Sequence, residues 1–162
     1  MDSAHNLTFR CHSLVRVENP NDRLCLARAI CIGLKFRECS QQRMNPIFCS
    51  YIIGQSLHAP QAKKILLDAG IPTNKDFYGI EEAIKLQELL NDRYGQHEIR
   101  LVIFSAESQN KIIWKGWTGS PAKYNLCLYH ASGHFSFLAS PKALLKVLIV
   151  LINKLLTFYC LS

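Results

Sequence analysis

A chain of 162 residues that is 49% apolar holds enough for one continuous core and gives no reason to be divided. Its 19 Lys and Arg against 12 Asp and Glu leave a formal charge of +7, which suits acidic partners such as nucleic acid or an acidic protein face. Seven cysteines without a repeated spacing or a C-x-x-C pair, and an N-terminus Met1–Asn6 without an apolar run, argue against a secreted disulfide framework or a compact zinc site, and no cofactor is expected.

The same features favour a reducing, intracellular compartment, cytoplasmic or nuclear. The positive residues are dispersed, with only Lys63 and Lys64 adjacent, so a solvated surface and a nucleic-acid-binding face both stay open.

Residues 1–20 read as an N-terminal extension, with Leu14–Val17 as a short edge strand before the turn at Asn19-Pro20-Asn21. The domain proper is expected over 21–140. A helix from Arg23 to about Phe36 follows from the spacing of Ala27, Ile30, Cys31 and Leu34, with Asp22 as its N-cap. The stretch Cys39–Gln55 reads as irregular.

A second helix covers Pro60–Ala69, with Ala62, Ile65, Leu66 and Ala69 inward and Gly70 and Pro72 ending it. The third, about Gly79–Tyr94, turns Ile80, Ala83, Ile84, Leu86, Leu89 and Leu90 to the core and Glu81, Glu82 and Glu88 to water. Strands follow at Ile99–Phe104, Lys111–Trp114, Asn125–Tyr129 and Phe135–Leu138, the last two joined over Ala131-Ser132-Gly133. Helices first and then a meander predict an α+β domain with a mainly antiparallel sheet.

Residues 141–162 form a hydrophobic C-terminal helix in this reading. Its longest unbroken apolar run, Val147–Ile152, is far short of a membrane span, so packing is favoured over membrane association through 143–161. The mixed loop Trp114–Ser120 has the composition of a base-stacking or peptide-gripping site, but one core tryptophan and one rim tryptophan explain it more simply.

The chemistry concentrates at two places. Cys25 falls near a helix N-terminus, where unpaired N–H groups and the positive end of the dipole favour thiolate, with Arg23 or Arg28 as additional support. His134, beside a glycine turn, is placed to project over a helix end as the base that removes the thiol proton. Asp22 caps the helix and sets the N–H groups around Cys25 where an oxyanion develops. Cys31 competes as nucleophile and His130 as base, while Ser136 is the nearest polar side chain for orienting His134.

The segment Asp22-x-x-Cys25-Leu26-x-Arg28-Ala29-Ile30 resembles the nucleophile motif of ovarian-tumour (OTU) type cysteine proteases, and Gly133-His134-Phe135 resembles their histidine motif. With Ala69-Gly70-Ile71-Pro72, Ile103-Phe104 and Leu126-Cys127-Leu128-Tyr129, the pattern over about residues 19–145 is similar to the module preceding the family B DNA polymerase of Maverick/Polinton-type transposons. The resemblance implies an OTU/papain-like fold and cleavage of a peptide or isopeptide bond in a ubiquitin-like or polyprotein substrate. Cys25, His134 and Asp22 would be its site residues. It equally allows a non-catalytic module that binds DNA or protein beside a transposon-encoded polymerase. Where such proteases carry a small residue soon after the aspartate, this chain has Arg23-Leu24.

Overall fold

A computed structural model of the chain describes residues 14–18, 22–142 and 144. The expected N-terminal extension and C-terminal helix therefore lie almost wholly outside the described residues, and so does membrane contact through 143–161. No helix among the described residues is long and apolar enough to cross a membrane.

The domain is α+β. Its elements are β1 (Leu14–Val15), α1 (Cys25–Glu38), α2 (Pro46–Ile53), α3 (Ala59–Asp68), α4 (Ile80–Tyr94), β2 (Ile99–Ser105), β3 (Lys111–Lys115), β4 (Tyr124–Ala131) and β5 (His134–Leu138). A short 3-10 turn, Gln55–Leu57, links α2 to α3.

The strands form one sheet in the order β1-β5-β4-β2-β3. The β1–β5, β4–β5 and β2–β3 pairs are antiparallel, but β2 and β4 run parallel from Ile99↔Tyr124 to Ser105↔His130. The sheet is thus mixed, and the chain does not meander. The reason lies in the side chains. Leu101, Ile103, Leu126 and Leu128 are fully buried and belong to neighbouring central strands, whereas the lysine-flanked β3 is exposed and suits an edge.

Helix α1 lies across β4 and β5 and comes close to β4 at Gly33, whose carbonyl accepts from the Tyr124 hydroxyl at 2.9 Å. Phe36 fills the space between sheet and helices, its ring 5.4 Å from Phe137 and 5.0 Å from Phe48. Burying each such side chain contributes about 1.5–3 kcal/mol. A smaller cluster joins Val102, Cys127 and Leu138 of the sheet to Leu144, which follows it.

Three local expectations are corrected. Helix α1 starts at Cys25 with Leu24 as N-cap and no side-chain cap, because the Asp22 carboxylate accepts the Leu24 amide, at 3.1 Å, rather than those inside the helix. The stretch expected to be irregular contains α2, started by Pro46 and capped by the Asn45 side chain, which accepts from the Ile47 and Phe48 amides. Glu82 is buried, not solvated: it accepts from the Gly79 amide at 2.7 Å and pairs with Lys75, while Ile80 and Ile84 are exposed.

Candidate active site

Two elements meet at the N-terminus of α1. Cys25 is its first helical residue and lies against β5. Among the described residues, strand β1 pairs with β5 at Leu14↔Leu138 and Val15↔Phe137 and then parts from it. The amide of Phe135, next along that open edge, donates to the Cys25 sulfur at 3.5 Å. A sulfur atom thus occupies a place that a carbonyl would take in a longer ladder.

His134 opens β5 after a tight turn in which Ser132 and Gly133 both have positive φ, 51° and 75°. Cys25 and His134 line one cavity of about 210 Å³, whose other walls are Arg23, Gly133 and residues 76–78. The His134 Nε2 lies 3.0 Å from the carbonyl of Val17. A carbonyl only accepts, so in the neutral ring Nε2 carries the hydrogen and Nδ1 is the basic atom.

Burial pushes the Cys25 thiol up; the amides of Phe135, Leu26 and Cys25 itself oppose this without cancelling it. Burial likewise holds His134 below its ordinary value, against the pull of the Val17 carbonyl. The resting pair is therefore thiol and neutral imidazole at pH 7, not the thiolate expected from the helix terminus alone. The helix supplies donors, but the sulfur of a residue only 8% exposed loses more from desolvation than it gains from them.

The arginines do not serve as expected either. Arg28 is buried, pairs with Asp22 and donates to the Gln55 carbonyl. Arg23 lines the cavity but pairs with Asp76. Asp22 is not among the cavity-lining side chains. Although burial works against its ionisation, Arg28 and the Leu24 amide hold its carboxyl below the usual range.

Of the competing residues, Cys31 lines a separate cavity with Tyr51 and Tyr94, and its burial pushes the thiol up to about 12. His130 lies 3.7 Å from Glu107 through Nδ1 and packs on the Phe135 ring. Ser136 is buried, but the group at the His134 ring nitrogen is the Val17 carbonyl. No residue type announces a main-chain acceptor, so sequence reading had no signal for Val17.

Trp114 packs against the core, while Trp117 lies near Arg100 and His97 and donates to the Ser120 carbonyl, which closes that loop on itself. Among the described residues no group of three His, Cys, Asp or Glu is placed to hold a metal ion. No family model matches this chain, and neither a curated protein nor a solved structure matches it.

Proposed function

We propose that the chain is an OTU-like cysteine hydrolase module that cleaves a peptide or isopeptide bond, with Cys25 as nucleophile and His134 as base. The observation that carries this is the shared cavity: one nucleophilic and one basic side chain, 109 residues apart by their numbers 25 and 134, line the same small recess. The histidine moreover has one ring nitrogen, Nε2, at a main-chain acceptor.

In this reading Nδ1 of His134 takes the Cys25 proton as sulfur attacks the substrate carbonyl carbon. The oxyanion that forms meets main-chain N–H groups at the start of α1, an end that no side chain caps. The imidazolium protonates the leaving amine, and water then releases the acyl group from sulfur. A neutral resting pair suits a nucleophile activated by its base on substrate binding.

The transposon setting, with a polymerase as neighbour, belongs to this proposal on the strength of the sequence resemblance. The test is labelling by a ubiquitin probe bearing a C-terminal electrophile. Labelling abolished by Cys25→Ala and kept by Cys31→Ala is the expected result. No labelling in the parent chain, together with salt-sensitive DNA binding lost on replacing the exposed Lys63 and Lys64, would favour the non-catalytic binding module instead.

A further inference from the structure

The Val17 carbonyl that meets His134 belongs to a segment with little ladder of its own, since β1 ends at Val15. Something else must fix its direction. The side chain of Gln55 donates through Nε2 to the Arg16 carbonyl at 3.0 Å and accepts through Oε1 from the Glu18 amide at 2.8 Å. Only one orientation of the amide satisfies both partners, because a carbonyl cannot donate and an N–H cannot accept.

In extended backbone the C=O of one residue and the N–H two places on point to one side, and the residue between them points its own carbonyl to the other. Gripping Arg16 and Glu18 therefore aims the Val17 carbonyl away from Gln55, and His134 Nε2 lies at that carbonyl. Gln55 is itself 4% exposed and held from behind, its own carbonyl taking a bond from Arg28, which Asp22 pairs.

We infer that Gln55 is the positioning residue of the site: its amide fixes the Val17 carbonyl, and that carbonyl fixes the tautomer and tilt of His134. Asp22 then acts on the histidine through Arg28, Gln55 and Val17, which gives this aspartate a role other than that of a third catalytic group. The inference rests on the proposed hydrolase reading for its catalytic consequence but not for its geometry.

The fold contains its own control. Gln87 makes the same two-bond grip elsewhere, donating to the Ile99 carbonyl and accepting from the Leu101 amide, both at 2.8 Å. Gln55→Met removes its two bonds and Gln87→Met removes the matching two plus one to the Asn91 side chain, so the control is the harsher change, and only Gln55→Met touches the histidine's acceptor.

The full chain, labelled with nitrogen-15 at histidine, is compared by NMR for the hydrogen-bonded His134 Nε2–H signal, assigned with His134→Gln. The signal should be lost to solvent exchange in Gln55→Met and persist in Gln87→Met. The rate of ubiquitin-probe labelling should fall about 10- to 100-fold in the first and stay within about twofold of the parent in the second. An unchanged Nε2–H in Gln55→Met, or its loss in both variants, overturns the inference. If Gln55→Met does not fold, Gln55→Glu decides: it keeps the bond from Glu18 and loses the one to Arg16, so a weakened signal supports and an intact one overturns. A parent chain that takes no label sinks the hydrolase reading alone, because the NMR comparison still judges Gln55.

Discussion

The main-chain amide of Phe135 donates to the sulfur of Cys25 across 110 positions of sequence. That bond ties the first residue of α1 to the open edge of β5 and places the sulfur in the cavity that the neighbouring His134 also lines. It also explains why the sulfur is shielded: the helix end sits where β1 leaves the sheet, and the thiol is enclosed between them.

Shielding outweighs the donors, so Cys25 should be a slow nucleophile toward small reagents. Its alkylation by iodoacetamide at neutral pH is expected to be slower than that of free cysteine, with a midpoint above the ordinary thiol value near 9.0. Mass spectrometry of the Cys25 peptide over a pH series measures it. Cys31, pushed up to about 12, should stay unmodified in the same samples. A Cys25 midpoint below the free-thiol value would show a preformed thiolate and contradict the burial argument.

His134 gives a stability prediction whose sign is fixed. Its folded pKa lies below the unfolded value of about 6.5, so through that range the folded state binds fewer protons than the unfolded chain does. The stability from burying a neutral ring is present above the unfolded pKa and is lost as pH drops through the folded one. Urea midpoints of the parent chain should therefore decline more steeply than those of His134→Gln between about pH 7.5 and 5. Parallel declines would mean the ring is no more desolvated in the fold than in the unfolded chain.

Asp22→Ala leaves Arg28, a residue 2% exposed, buried without its carboxylate partner. Breaking such a pair from one side costs about 3 kcal/mol or somewhat more, well beyond the few tenths typical of an exposed pair. Urea unfolding followed by circular dichroism at neutral pH reads it. The carboxyl is held below its ordinary value, so its contribution is present above about pH 4 and fades as pH falls through the folded pKa. The gap between parent and variant should close in acid. A gap that does not depend on pH would assign the loss to packing instead of charge.

Much of this was legible in the sequence because hydrophobic spacing reports burial directly. Ala27, Ile30 and Cys31 mark the inner face of α1, and Gly70 and Gly95 mark helix ends. The β4–β5 hairpin was legible from its glycine turn, but the parallel pairing of β2 with β4 was not. Alternation along Tyr124–Ala131 tells which face is apolar and nothing about whether β4 joins β2 or β3. Helix α2 hid because six of its eight residues, PIFCSYII, are apolar or aromatic besides Pro46 and Ser50, which removes the contrast that periodicity needs, although Asn45-Pro46 was a usable start signal. The Gln55 grip on Arg16 and Glu18 left no trace, since a side-chain amide and two main-chain groups 39 and 37 positions away share no pattern.

The packing of α1 on the sheet can be tested at Gly33. A helical glycine replaced by alanine ordinarily gains up to about 1 kcal/mol of propensity. Here a Cβ would meet Leu126 at 2.6 Å from Cγ and 2.7 and 2.9 Å from its two methyl carbons, so the obstruction is the branch of the side chain and not a movable tip. Overpacking of that kind costs about 1–3 kcal/mol, and it outweighs the propensity gain. Gly33→Ala should lose stability by about 1–2 kcal/mol in urea unfolding. Leu126→Ala, which empties a fully buried position, should cost about 2–5 kcal/mol alone. The double variant should be more stable than the sum of the two losses, because the new methyl occupies space that the leucine gave up. Strict additivity, or a stabilising Gly33→Ala, would mean that the helix does not approach β4 this closely.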